Sequence, residues 1–123
     1  MRIISTRTHG VIDYLTGLVL IAAPWLFGFA NGGAAQWVPV LVGLAILGMS
    51  LMTDYELSLA RIVPMPVHLG ADAATGLLLI ASPWLFGFAG QVRWPHVVIG
   101  LLELGVVLMT DSHRTAGLAA GRV

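Results

Sequence analysis

The heptapeptide Pro-Trp-Leu-Phe-Gly-Phe-Ala occurs twice in this chain, at residues 24–30 and again at residues 83–89. Self-similarity at a fixed spacing indicates repeated structural units. Each copy is preceded by a His-x-x-x-Asp motif and a Thr-Gly pair, and each unit closes on Met-Thr-Asp. The copies differ slightly in length between Ala30 and Trp37, where a loop tolerates the difference. We conclude that the chain is an internal duplication.

Each copy contains two apolar runs rich in Leu, Ala and Gly. The runs cover residues 11–30, 38–53, 71–89 and 96–110. A bilayer core about 30 Å thick is crossed by about 17–25 helical residues, and the runs lack the alternation typical of strands. The predicted fold class is an all-α membrane protein with four transmembrane helices. They form two tandem helical hairpins, related by a pseudo-two-fold along the membrane normal. The repeats occupy residues 1–60 and 61–123 and together form one domain.

Composition supports a membrane location and excludes several other classes. Of the 123 residues, 58% are hydrophobic and 10% are charged, whereas soluble domains carry about 25% charged residues. The six basic residues are all arginine and the net charge is +0, so there is no basic footprint for nucleic acid. Without cysteine there are no disulfides or thiolate ligands. We expect the lipid bilayer as the partner, with a homo-oligomer as a further possibility, and neither nucleic acid nor a cofactor.

The arginines predict the orientation. Five of them fall on one side of a four-span chain: Arg2, Arg7, Arg61, Arg114 and Arg122. Only Arg93 falls on the other side. The positive-inside rule then predicts that both termini are cytoplasmic, in a multi-pass protein of the inner (plasma) membrane. Because each copy has two spans, both copies share one orientation, which is a parallel repeat.

The tripeptide Ser82-Pro83-Trp84, near the end of an odd-numbered helix within a two-helix repeat, resembles the SPW repeat family of small prokaryotic membrane proteins. The resemblance covers the chain from about His9 to Asp111. The first copy departs from the pattern because it has Ala23 in place of the serine. The family implies membrane location and a repeat of two helices, and it supplies no activity and no catalytic residues.

Pro24 and Pro83 are predicted to kink the odd-numbered helices. A helical proline lacks an N–H and clashes with the carbonyl four residues back, which here belongs to Leu20 or Leu79. At membrane depth such a carbonyl needs another partner. We favour a static kink that shapes the bundle, and a hinge or polar site is the alternative.

Aromatic residues and glycines recur at matching positions in both copies. The aromatic set near the outer end is Trp25, Phe29, Trp37, Trp84, Phe88 and Trp94. We interpret it as an interfacial belt or core packing, with a ligand-stacking cage as the alternative. Gly17, Gly28, Gly43 and Gly48 all have counterparts in the second copy. Because small residues let helix backbones approach, we predict that all of them pack closely.

Histidines and aspartates gather at the predicted cytoplasmic end. The candidate cluster consists of His9, Asp13, Asp54, His68, Asp72 and Asp111. In each copy the His and the first Asp are spaced i, i+4 and therefore share a helix face. A metal site requires that such groups converge in an oriented shell, and nothing in the sequence fixes that convergence. We predict structural pairing without a metal, and metal or proton chemistry is the alternative.

A second polar group is predicted at mid-membrane, formed by Glu103, Ser82, Thr75 and His96. A carboxylate at the bilayer centre costs about 3 kcal/mol on insertion scales, so Glu103 should face protein. It belongs to a stripe that repeats every seven residues through His96 and Thr110. We expect Glu103 to bond Ser82 or the Leu79 carbonyl, and a proton or ion path is the alternative.

Three functional hypotheses follow. The favoured one is a non-enzymatic structural or assembly module with no catalytic residues. The second is a small oligomeric transporter or proton- or ion-conducting protein that uses Glu103. The third is a membrane-embedded enzyme or metal binder at the His/Asp end.

Overall fold

The computed structural model describes residues 3–53 and 57–110. It contains four α-helices: α1 (Thr6–Leu26), α2 (Ala34–Met52), α3 (Met65–Leu85) and α4 (Trp94–Met109). Helix α1 packs along α2 and α3 packs along α4, while the two hairpins meet chiefly through α2 and α3. Within the described ranges no strand forms, which confirms the prediction of two tandem helical hairpins.

Three of the helices are long and apolar enough to cross a membrane. Helices α1 and α3 have 21 residues each and α2 has 19. Helix α4 is apolar but has 16 residues, which at 1.5 Å per residue is about 24 Å. Large apolar side chains cover the outside of all four helices, with Leu15, Leu41, Leu77 and Leu101 each more than half exposed. These features are typical of a multi-pass membrane protein.

Each odd-numbered helix begins a few residues before its apolar run begins, and it ends a few residues before that run ends. The Ser5 side chain accepts the Thr8 N–H and caps the start of α1, while Pro64 precedes α3. Proline suits the start of a helix because no N–H is needed there. These local signals start the helices several residues before the apolar runs begin.

The repeated heptapeptide ends each odd-numbered helix. Gly28 has φ +75°, and the Phe29 N–H donates to the Pro24 carbonyl at 2.8 Å. Gly87 has the same φ, and Phe88 repeats the bond to Pro83 at 2.7 Å. This is the left-handed cap in which glycine is favoured. The predicted close-packing role is therefore wrong for Gly28 and Gly87, since an added Cβ would meet nothing within 4 Å.

Close packing is confirmed at one glycine pair in each hairpin. A Cβ on Gly43 would lie 2.7 Å from the Gly17 carbonyl oxygen. A Cβ on Gly100 would lie 2.6 Å from the Gly76 carbonyl oxygen. Gly48 and its counterpart Gly105 have open space around them, so the same prediction is wrong for those two. The two helices within each hairpin thus approach each other closely at one crossing point.

Candidate functional site

A buried His/Asp tetrad, formed by His9, Asp13, His68 and Asp72, lies where α1 and α3 begin and α2 and α4 end. We call this the tetrad end and the opposite one the tryptophan end. Both histidines are 0% exposed, Asp13 is 5% exposed and Asp72 is 3% exposed. The i, i+4 spacing places each His beside the Asp of its own helix, and the approach of α1 to α3 brings the two pairs together.

The shortest contacts of the tetrad cross between the hairpins. His9 Nε2 lies 2.8 Å from Asp72 Oδ2, and His68 Nε2 lies 2.6 Å from Asp13 Oδ2. Within each helix, the corresponding His–Asp distance is 3.1 Å. The two imidazole rings stand edge to face, with centroids 5.4 Å apart. Each hairpin therefore completes the ion pair of the other.

The second nitrogen of each histidine is held by a threonine from the other copy. His9 Nδ1 lies 2.8 Å from Thr110 Oγ1, and His68 Nδ1 lies 2.6 Å from Thr53 Oγ1. Each threonine hydroxyl donates to the carbonyl four residues back, at 2.6 Å in both cases. Because that hydroxyl proton is already used, Nδ1 must be the donor to Oγ1. This fixes Nδ1–H on both rings and leaves each Nε2 facing the carboxylates.

Without a bound ion, the hydrogen-bond pattern also assigns the Nε2 protons. A bare Nε2 would set its lone pair against two carboxylate oxygens, whereas Nε2–H donates to them. With both nitrogens protonated, two imidazolium rings face two carboxylates and the tetrad is neutral overall. Neutrality matters because isolated charges are costly to bury.

Four of the six residues predicted for the polar cluster come together in the tetrad. Asp54 and Asp111 lie outside the described residues. Sequence reasoning missed Thr53 and Thr110 as tetrad partners. The sequence contains a signal for them: Met-Thr-Asp ends both copies, and a threonine at that end of the bundle can accept a hydrogen bond from a histidine ring nitrogen.

Glu103 faces protein as predicted, and it is 6% exposed. Its partner is different, since Oε2 accepts a bond from Thr75 Oγ1 at 2.9 Å. The expected pairing with Ser82 or with the Leu79 carbonyl is wrong, because Ser82 Oγ donates to that carbonyl itself at 2.8 Å. Oε1 of Glu103 is buried and has no hydrogen-bond partner among the described residues. Thr75 Oγ1 also lies 3.0 Å from the Asp72 carbonyl, so its single proton is shared between that oxygen and Glu103, which places Glu103 close to the tetrad.

The Ser-Pro-Trp tripeptide has a clear local explanation. Pro83 removes the N–H that would reach the Leu79 carbonyl, and the preceding Ser82 replaces it with a hydroxyl. Ser82 is fully buried, whereas Trp84 is 60% exposed on the outside of the bundle. In this structure the serine therefore satisfies the backbone, and it does not join Glu103 in a polar site.

His96 lies apart from the other candidate residues, at the tryptophan end. Its Nε2 donates to the Ala35 carbonyl at 2.9 Å, and its ring packs between Phe29 and Phe88. The four tryptophans are each about half exposed or more, as expected of an interfacial belt. The predicted stripe on α4 is thus buried throughout but serves separate local contacts.

Comparison with known proteins identifies one family. The family model of the SPW repeat domain matches residues 7–110, which include both hairpins and the whole tetrad. No curated protein and no solved structure gives a significant match.

Proposed function

Since this chain belongs to the SPW repeat family, we propose that it is a non-enzymatic membrane module whose tetrad fastens two hairpins into one four-helix unit. The observation that carries this proposal is the reciprocity of the tetrad. Its shortest bonds join different hairpins, and its ring nitrogens are held by threonines from different copies. Side chains whose polar atoms are already bonded to one another in this way suit a structural role.

The interior between the polar sites is apolar. Leu20, Val42, Ile46 and Leu79 form one buried cluster, and Ile99 packs against it. Along α4, Ile99 lies between His96 and Glu103. A path for protons or ions would have to pass these side chains, none of which carries a donor or acceptor. The apolar layer therefore favours a structural module over a conducting one.

Conduction is the second candidate, and one observation favours it. Glu103 carries a buried oxygen without a partner, and Ile46 occupies the matching position of copy one. Buried ionisable groups in membrane proteins often mark ion or proton paths. Replacing Glu103 with isoleucine strands no donor, since the Thr75 hydroxyl can then donate to the Asp72 carbonyl alone. The variant Glu103→Ile is therefore a suitable probe of function.

A flux assay separates the two candidates. The purified full chain is reconstituted in liposomes that contain a pH-sensitive dye, in chelator-containing buffer, and a proton gradient and membrane potential are imposed. We expect wild type and Glu103→Ile to leak no faster than protein-free liposomes. A wild-type flux well above that background, and lost in Glu103→Ile, would overturn the structural proposal in favour of conduction.

We further propose that both termini are cytoplasmic, in the inner membrane. Arg7 lies at the start of α1 and Arg61 in the connection between α2 and α3, both at the tetrad end, whereas Arg93 precedes α4 at the tryptophan end. The positive-inside rule supports placing the tetrad end in the cytoplasm. Reporter fusions at Asn31, Pro64 and Gly90 test this, and a cytoplasmic signal at Asn31 would reverse the orientation.

Lipid is the partner that the exposed surface suits best. Helix α4 makes few contacts with α1, and an apolar groove of about 330 Å³ separates them. Ile12, Leu15, Val19 and Leu102 line this groove. We propose that acyl chains fill it in the monomer, and the mass of the detergent-solubilised particle distinguishes a monomer from a homo-oligomer.

A further inference from the structure

We propose that the tetrad is a zinc site, with His9 Nε2, His68 Nε2, Asp13 Oδ2 and Asp72 Oδ2 as the four ligand atoms. This goes beyond the structural module proposed above and departs from the metal-free cluster expected from the sequence. The structure supplies the convergence that the sequence could not fix.

The geometry of the four ligand atoms carries the inference. Each Nε2 lies between two carboxylate oxygens, with all four N–O distances between 2.6 and 3.1 Å. All four atoms lie within 4.8 Å of one another. A tetrahedral zinc ion with bonds of about 2.0–2.2 Å holds its ligands about 3.3 Å apart. To accommodate the ion, the four N–O distances would lengthen by about 0.2–0.7 Å, and any longer separation within the set, up to 4.8 Å, would shorten.

The way the carboxylates are used also points to a metal. One and the same oxygen, Oδ2, faces both imidazoles in each aspartate. A pair of separate salt bridges has no need for this, because two histidines can use the two oxygens of a carboxylate. Four atoms that converge from two His and two Asp instead surround one central point.

The threonines provide the outer contacts that an imidazole ligand requires. Metal-binding histidines almost always donate their other N–H to a neighbouring acceptor, which fixes the tautomer and the ring orientation. Here the Nδ1–H of His9 donates to Thr110 and that of His68 donates to Thr53. Both rings therefore present Nε2 to the centre.

Charge and access are compatible with a divalent cation. Two carboxylates neutralise the ion when both imidazoles bind as neutral ligands, so the loaded site, like the protonated tetrad, carries no net charge. Glu103 approaches the site through Thr75 and adds no ligand atom to it. A cleft of about 50 Å³ against Asp72 and Thr75, between α2 and α3, provides room next to the site.

The donor set favours zinc over magnesium and calcium. Magnesium and calcium prefer shells made of oxygen alone, whereas zinc binds imidazole nitrogen and carboxylate oxygen. Four protein ligands without a fifth group describe a closed, structural site. The zinc ion would join α1 to α3 and so hold the two hairpins together.

The test uses the full chain in detergent, stripped with a chelator, and Zn²⁺ alone as the probe. We expect one zinc per chain by titration calorimetry, and the visible absorption of a four-coordinate ion when Co²⁺ replaces it. The double variant His9→Gln/His68→Gln should bind zinc at least about 100-fold more weakly, whereas His96→Gln at the tryptophan end should bind like wild type. A folded wild type that takes up no zinc at micromolar concentrations overturns the proposal.

A second variant keeps the test valid if the double histidine variant fails to fold. Thr53→Val/Thr110→Val retains all four ligands and removes the acceptors of the Nδ1–H groups, together with each hydroxyl's bond to the carbonyl four residues back. Zinc affinity should fall about 10- to 100-fold, the range found when outer contacts of metal ligands are lost. An unchanged affinity would contradict the assigned geometry. The flux assay is run with chelator, so the structural module and the zinc site can fail independently.

Discussion

Ser82 shows how one hydroxyl compensates for a proline inside a transmembrane helix. Its Oγ donates to the Leu79 carbonyl at 2.8 Å, which Pro83 leaves without a helical N–H. In the bilayer no water replaces such a bond. The first copy has Ala23 at the equivalent position, and Pro24 follows it.

Ser82→Ala should lower the free energy of unfolding by about 1–3 kcal/mol, because it strands a buried carbonyl. The matched change Ala23→Ser introduces a hydroxyl near the Leu20 carbonyl and should leave stability unchanged or raise it. Thermal unfolding of both variants in the same detergent measures the difference. If Ser82→Ala unfolds at the wild-type temperature, the serine does not have this role.

For Glu103, the sequence predicted the side that the residue faces but not its hydrogen-bond partner. The cost of burying a carboxylate was enough to predict that it faces protein. Its partner could not be predicted, because helix rise gives depth but not rotation about the helix axis. Ser82 lies at a suitable depth, yet its hydroxyl bonds its own helix, as serines in helices often do. Thr75 takes its place as the donor to Glu103.

Two glycines determine how each hairpin packs. Gly17 meets Gly43 in the first hairpin and Gly76 meets Gly100 in the second, with backbone carbonyls where a Cβ would lie. Between transmembrane helices, this close approach replaces the hydrophobic driving force that is missing in lipid. The crossing point of each hairpin is set by these pairs.

Gly43→Ala should destabilise the first hairpin by about 1–3 kcal/mol, the usual cost of overpacking, since its Cβ would lie 2.7 Å from a backbone oxygen. Gly48→Ala, one and a half turns further along the same helix, meets nothing within 4 Å. It should be neutral or stabilise the helix by up to about 1 kcal/mol. Chemical denaturation of both variants is the measurement, and equal effects would contradict the packing described here.

The helices themselves could be predicted from apolar runs, but the roles of their glycines could not. Four glycines recur identically in both copies, and two of them pack, one caps a helix and one faces open space. Positive φ at Gly28 follows from its place after the last helical turn. Gly43 and Gly48 lie on different sides of α2, and the sequence does not show which of these sides faces α1.

At the scale of the whole molecule, the tetrad couples the two hairpins. A double-mutant cycle on His9 and Asp72, which lie 2.8 Å apart across the hairpins, measures this coupling. In chelator-containing buffer, His9→Gln or Asp72→Asn alone should cost about 3–5 kcal/mol, because each leaves a buried charge unpaired. The double variant should lose about 0.5–3 kcal/mol less than the sum of the two.

The control pairs His9→Gln with His96→Gln, at opposite ends of the bundle, and these effects should add. Additivity of His9 and Asp72 as well would mean that the tetrad does not act as one unit. The sequence predicted that these residues lie at one end, from repeat topology and i, i+4 spacing. It could not predict that they converge, because convergence depends on how closely α1 approaches α3.

The crossed contacts of the tetrad also constrain how the protein is made. Helices α1 and α2 emerge from the ribosome before the second hairpin does. Synthesis of the second repeat, at about 5–20 residues per second, takes about 3–12 s. During that interval His9 and Asp13 have only each other, at 3.1 Å, because His68 and Asp72 belong to the second hairpin, which has not yet packed against the first. We therefore expect the first hairpin to be a transient insertion intermediate whose His9 and Asp13 still lack their partners from the second hairpin. Membrane quality-control proteases should recognise a chain that stops there and spare the one that continues through α3 and α4.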